Sequence, residues 1–315
     1  MLRIISYPLL ALFTFALVAC GGDSSSSEPR TGMMSMSITD APVEDVERVQ
    51  LSVAALAFKP RDGAPFHIQF EEPVVIDNLL DLQGTNAAPL LAETDVPAGP
   101  YNWVRLYVIG GGNDSYVIHR EGGQHELFIP GQQPPTGQSD QHLQLVSGFV
   151  VPAGGSVDLT LDVDLRRALV QPSGVNHYLL RPALRITDNS ETGTITGRVA
   201  EALLLDEACS NDLANDRGHA VYLYAGQDVP PGDVYLDQHG EPITDNNPLT
   251  TANVRQDVET GEYHYTIGFV PQGEYTIAFT CQALDDQPDQ QDEIAFHPVE
   301  NITVVAGETV EQDFE

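Results

Sequence analysis

Few side chains in this sequence are spaced for chemistry. His119 and His125 flank Arg120-Glu121-Gly122-Gly123-Gln124, with Glu126 adjacent, so one loop could gather metal ligands. No third ligand stands at a zinc spacing, and the Gly122-Gly123 pair reads as the turn of a solvated hairpin. Asp158, Asp162 and Asp164 share one face of an alternating segment, opposite Leu159, Leu161 and Val163. They lack the compact, glycine-containing loop of a calcium site, and the reading is a water-facing sheet surface. Asp285, Asp286, Asp289 and Asp292 around Pro288 read in the same way, as an acidic solvated loop. No metal or cofactor is predicted. The chain contains no Gly-x-Ser-x-Gly elbow, His-Glu-x-x-His pair or Walker loop, and no catalytic residue is assigned. Trp103, the single tryptophan, is either a sugar-stacking platform or a core anchor. One indole makes a poor binding surface, which favours the core. Cys209 and Cys281 remain, and Asp206, Glu207 and Asp212 near Cys209 oppose thiolate chemistry.

The elements that must hold these residues are strands. Val49, Leu51 and Val53 alternate with polar residues, as do Val104, Leu106 and Val108, and Leu159, Leu161, Val163 and Leu165. Turn clusters such as Arg61-Asp62-Gly63, Gly110-Gly111-Gly112-Asn113 and Pro152-Ala153-Gly154-Gly155 punctuate the chain. Short strands between frequent turns imply an all-β sandwich or barrel. Helix is predicted only near Asn78–Leu82, Ala88–Glu93 and Leu165–Val170. Asp188–Thr192 divides the chain into modules at 34–188 and 192–315. Val96-Pro97-Ala98-Gly99-Pro100-Tyr101 in the first echoes Val270-Pro271-Gln272-Gly273-Glu274-Tyr275 in the second, which implies related sandwiches. Pro271 with Gly273 reads as a hairpin, and the Tyr222/Tyr224 and Tyr263/Tyr265 pairs as cross-strand partners.

Composition excludes some functions. The 315 residues carry 46 Asp and Glu against 14 Lys and Arg, a net charge of −32, and Lys59 is the only lysine. Nucleic acid and an electrostatic hold on anionic lipid are excluded by that balance. Self-repulsion on this scale points to saline surroundings, where salt screens exposed carboxylates, the alternative being acidity for solubility alone. Residues 1–19 form a targeting segment: Arg3, then a mostly apolar run from Ile4 to Val18 that is short for a membrane span. It ends Leu17-Val18-Ala19-Cys20-Gly21, which resembles the bacterial lipobox. That resemblance implies lipidation of Cys20, cleavage before it and, with Gly21 next, sorting to the outer membrane. Several acyl chains give a stable anchor. The segment 20–33 is then a lipidated cysteine on a Ser-rich tether. Beyond the reducing cytosol, Cys209 and Cys281 are predicted to form one disulfide.

Two further resemblances follow from ordered motifs. Met36-Ser37-Ile38-Thr39-Asp40-Ala41-Pro42-Val43, Asn78-Leu79-Leu80-Asp81-Leu82, the Val96–Tyr101 segment and Tyr178-Leu179-Leu180-Arg181-Pro182-Ala183-Leu184-Arg185 resemble a bacterial lipoprotein domain of unknown function (DUF4382). Thr39 and Asp40 there are read as bonding nearby backbone, and Pro42 as ending strand pairing. The order of Gly193–Val199, Ala220–Tyr224, Gly261–Ile267 and Val270–Phe279 resembles the carboxypeptidase-regulatory-like, transthyretin-like sandwich. Together these imply a non-enzymatic envelope lipoprotein, held to the membrane through Cys20, with a structural or binding role and an envelope-protein or glycan partner. The alternative is a carbohydrate-binding or polysaccharide-handling lipoprotein.

Overall fold

Alternation of apolar and polar residues builds the strands of this computed structural model, which describes residues 30–41, 43–132, 141–237 and 240–315. Cys20, the lipobox, the Ser-rich tether and Pro42 lie outside the described residues. The first set of strands is β1 (Thr31–Ala41), β2 (Val46–Pro60), β3 (Phe66–Ile76), β4 (Ala88–Pro97), β5 (Gly99–Val108), β6 (Tyr116–His119) and β7 (Gln124–Phe128). It continues with β8 (Leu143–Leu145), β9 (Phe149–Val151), β10 (Ser156–Asp164), the single turn α1 (Leu165–Ala168), β11 (Leu169–Val170), β12 (His177–Leu180) and β13 (Leu184–Asp188). One sheet has the order β13-β10-β1-β4, with β1 and β10 parallel. The facing sheet runs β11-β12-β7-β6-β2-β5-β8, with β3 also on β2 and β9 on β5. Met34, Met36, Ile38, Leu159, Leu161 and Val163 from one sheet and Val49, Leu51, Leu56 and Leu106 from the other fill the space between them. The apolar area removed from water there is the main stabilising term.

The second set comprises β14 (Thr192–Val199), the short α2 (Glu201–Leu204), β15 (Ala220–Ala225), β16 (Thr250–Asn253), β17 (Arg255–Gln256), β18 (Tyr263–Pro271), β19 (Gly273–Thr280), β20 (Val299–Val304) and β21 (Thr309–Glu311). Sheets β17-β18-β14-β21 and β16-β15-β19-β20 enclose Ile195, Val221, Leu223, Ile267, Ile277 and Phe279. The architecture is two β-sandwiches in tandem, with helix among the described residues limited to single turns. Ala88–Glu93 is strand rather than helix, because pairing with β1 buries Leu90 and Leu91 and overrides local propensity.

The echoed sequence segments make the same corner. In each sandwich the chain leaves one sheet at a Val-Pro pair, turns, and enters the opposite sheet. Tyr101 Oη donates to the Pro97 carbonyl at 2.7 Å, and Tyr275 Oη to the Pro271 carbonyl at 2.7 Å. Pro271 and Gly273 therefore form an arch between sheets, not a hairpin, since β18 and β19 belong to different sheets. Tyr275→Phe removes one hydrogen bond to the Pro271 carbonyl and is expected to lower stability by about 1 kcal/mol. Equilibrium unfolding in urea checks this, and no loss would mean that water replaces the bond.

The tyrosine pairs also differ from the sequence reading. Tyr222 and Tyr224 are on β15 and Tyr263 and Tyr265 on β18, in separate sheets, so they are not cross-strand partners. Tyr222 and Tyr224 point away from the main core and form a second apolar layer with Val234 and Leu236, closed by Phe296. Cys209 and Cys281 are joined by a disulfide with Cα atoms 5.0 Å apart, fixing the segment after α2 to the end of β19.

Candidate functional site

The two sandwiches meet along a polar seam, and α1 supplies its centre. Leu165 and Ala168 turn into the first core, which leaves Arg166 to project toward the second sandwich. Its Nη1 donates to the Ala283 carbonyl at 3.0 Å, and its Nη2 reaches Asn253 Oδ1 at 3.5 Å. Glu44 Oε1 of the first sandwich lies 3.5 Å from the same Nη2. The guanidinium carbon stands 5.8 Å from the centre of the Tyr222 ring. Arg166 and Glu44 are both buried. Burial alone would disfavour the guanidinium charge, but Tyr222, Glu44 and Asp286 around it raise its pKa. Tyr222 Oη donates to Asp286 Oδ2 at 2.5 Å, and Val234 N–H donates to Asp286 Oδ1 at 3.1 Å. Arg217 adds an exchange in the other direction, pairing with Asp45 at 3.1 Å. Backbones also touch: a Cβ on Gly268 would lie 2.2 Å from the Gly84 carbonyl oxygen, so only glycine fits there.

Beside this pin lies a cavity of about 250 Å³, walled by Asp40, Asp162 and Arg185 of the first sandwich and Thr251, Asn253 and Tyr265 of the second. Thr39 Oγ1 lies 2.7 and 2.8 Å from the Leu82 and Asn86 carbonyls, which share its one proton, and Asp40 Oδ1 accepts from Leu165 N–H at 3.3 Å. The Thr39-Asp40 pair does bond backbone, but that of residues 82–86 and of α1, distant in sequence, rather than the nearby backbone that its residue types suggest. Asp162 Oδ2 pairs with Arg185 Nη2 at 2.7 Å, and Asp164 Oδ1 accepts from Arg167 N–H at 3.2 Å. Desolvation pushes Asp40 well above the usual carboxylate range, reinforced by the charges of Asp162 and Asp164. Desolvation likewise pushes Asp164 and Asp286 up to about 6.

The sequence reading of the acidic strand is thereby corrected. Asp158 is exposed, taking hydrogen bonds from Ser35 and Asn189, but Asp162 and Asp164 are buried because the second sandwich covers that face. The acidic loop divides similarly. Asp285 and Asp289 are exposed, whereas Asp286 is buried and groups with Asp233 and Asp292, their carboxylate oxygens within 4.8 Å of one another. His119 and His125 sit on the β6–β7 hairpin and are not brought together with Glu126. His119 Nδ1 accepts from Glu121 N–H, and Glu126 Oε1 from Gly112 N–H. Trp103 is only half-buried and lies outside the core, with the Arg105 guanidinium 4.1 Å over its ring. Tyr101 fills the core place instead, stacked on Phe149. Arg166 and Glu44 escaped sequence reasoning altogether. The available signal was two adjacent arginines after an Asp-rich strand, in a chain with only 14 basic residues.

The raised carboxylates set a pH dependence. A group whose folded pKa is about 6, against roughly 4 unfolded, binds more protons in the folded state between those values. Stability is therefore lost as pH rises through that window. Moving from pH 7 to 5 is expected to add about 1 kcal/mol for each of Asp164 and Asp286. Below roughly pH 4 the trend reverses for Asp216: burial opposes its charge, but bonds from His219 and Gln256 hold its pKa low. Urea midpoints at the two pH values decide the matter, and equal midpoints would mean that the carboxylates are solvated.

No curated protein matches the chain in sequence. The Bacillus anthracis TIE protein is similar over 91% of this chain and 34% of its own, at 10% identity and TM-score 0.20, so the chain spans about a third of that protein. GBS52, the minor pilin of Streptococcus agalactiae, is similar over 89% of this chain and 94% of its own, at 11% identity and TM-score 0.19. The fimbrial anchor protein Mfa2 from Porphyromonas gingivalis is similar over 81% and 80%, at 10% identity and TM-score 0.17. Such scores are too low for a common arrangement of strands. Residues 31–182, which run from β1 through the segment after β12 and include Asp40, Glu44 and Arg166, match the family described as Domain of unknown function (DUF4382).

Proposed function

We propose that this chain is a non-enzymatic lipoprotein of the bacterial cell envelope, anchored through lipid on Cys20 and sorted to the outer membrane. Its two sandwiches act there as one structural or binding body behind a Ser-rich tether. The observation that carries this reading is the seam: Arg166, paired with Glu44 of its own sandwich, bonds Ala283 and Asn253 of the second, which makes one body behind a lipobox-like sequence. Among the described residues no helix is long and apolar enough to cross a membrane; several acyl chains on one cysteine make a stable anchor. The transthyretin-like likeness of the second sandwich fits the same role, since such modules stabilise or present a neighbour.

Cys20→Ala tests the anchor. The variant is expected to leave the membrane fraction or to persist as the uncut precursor. A cleaved, lipid-labelled form of that variant would contradict the lipobox assignment.

A further inference from the structure

Trp103, Arg105 and Tyr107 share the outer side of β5, opposite Val104, Leu106 and Val108, which enter the core. On β2, Lys59 pairs with Trp103, Ala57 with Arg105 and Ala55 with Tyr107, and His67 of β3 pairs with Ala57 from the other side. The small side chains of Ala55 and Ala57 leave room for rings above them. His67 and His142 stand 5.5 and 5.3 Å from Tyr107, centre to centre. Acidic residues are scarce on this face. Residues 50–60 of β2 and the whole of β5, β8 and β9 hold no Asp or Glu, in a chain with 46. Glu71 and Glu72 come at the far end of β3, and Asp62 in the turn after β2 is matched by Arg61. Arg105 is held at the centre. Its Nε donates to Gln144 Oε1 at 2.7 Å, and its guanidinium lies 4.1 Å over the Trp103 ring. Among the described residues Arg105 and Lys59 have no carboxylate partner, and Lys59 Nζ donates to the Pro60 and Gly63 carbonyls. Both Nη atoms of Arg105 are therefore open.

We infer that this face of the first sandwich binds an acidic polysaccharide, with a uronate carboxylate on the open fork of Arg105 and sugar rings against Trp103 and Tyr107. A guanidinium fixed through its Nε and its flat side is ordered before the ligand arrives, and it matches a carboxylate with two parallel bonds. Trp, Tyr and Arg are also the side chains that dominate binding surfaces. An aromatic ring takes the C–H side of a pyranose while the sugar hydroxyls stay wet. Trp103 and Tyr107 are separated by about 14 Å along an extended strand, which suits several units of a polymer rather than one sugar. Backbone recognition is closed off here. Strand β5 pairs with β2 on one side and with β8 and β9 on the other, so it offers no edge to a peptide. A dense polyanion such as nucleic acid meets the repulsion of a net charge of −32, and one fork displaces few counterions. Carboxylates spaced along a glycan meet less of that repulsion, and salt screens the surrounding acids. The inference rests on the binding role proposed above but not on the anchor, which Cys20→Ala tests separately.

Affinity electrophoresis of the purified full chain tests the assignment, in gels that hold polygalacturonate, alginate or hyaluronate. Fully methyl-esterified polygalacturonate and polyglutamate are the controls, the first lacking the carboxylate and the second lacking the sugar. At least one uronate polymer is expected to retard the chain, and neither control should. Arg105→Lys keeps the charge and loses the fork, and Trp103→Ala loses the ring. Each is expected to raise the dissociation constant about tenfold. Urea midpoints close to that of the wild type show that the variants fold, and Arg105→Lys carries the test if Trp103→Ala does not. No retardation by any of the three polymers, equal retardation by polyglutamate, or undiminished binding by Arg105→Lys would each overturn the assignment.

Discussion

Arg166→Ala is expected to lower the free energy of unfolding by about 3–5 kcal/mol, the cost of breaking a buried ion pair from one side. The substitution leaves Glu44 buried with Arg217 Nε, at 3.9 Å, as its remaining cationic neighbour. It also strips the Ala283 carbonyl of its donor and removes the guanidinium from the Tyr222 ring. Arg166→Met with Glu44→Gln is the informative companion, because it removes both charges while keeping the long side chains. That pair should recover much of the loss, since the penalty comes from the orphaned charge more than from the missing attraction. Urea unfolding of the variants measures both. A loss below about 1 kcal/mol for Arg166→Ala would mean that the seam is wet and the pair weak.

Removing the disulfide by Cys209→Ser with Cys281→Ser is expected to cost about 4 kcal/mol, from the chain entropy released when a loop of separation 72 is no longer closed. The bond also bears on the seam. Ser210 N–H donates to the Cys281 carbonyl, and two residues further on Ala283 N–H donates to Gly218 while its carbonyl receives Arg166. The disulfide therefore holds the acceptor of the interdomain pin. Losses from the serine pair and from Arg166→Ala should not add, because the two share the Ala283 segment. Strict additivity in the combined variant would separate them.

The strands were legible because burial follows a period of two along them. Leu159, Leu161 and Val163 alternate with polar residues, and all three are in the core. The corner echo was legible as a repeat, but the Tyr101 and Tyr275 hydroxyl bonds that explain it appear only in three dimensions. The polar face of β10 was misread for a physical reason. Alternation reports which face meets its own core, and says nothing about a neighbouring sandwich that covers the other face. Asp162, Asp164 and Arg166 are buried by that neighbour, so the seam left no periodic trace. Trp103 illustrates the converse: its size suggests the core, yet Tyr101 on the same strand has the inward-facing position.

The claim on which the account rests is that the two sandwiches form one body. Scanning calorimetry of the full chain tests it most directly, because coupled units melt together. A single transition is predicted, with calorimetric and van't Hoff enthalpies equal, that separates into two in Arg166→Ala. Two separate transitions in the wild type, unchanged by that substitution, would contradict it.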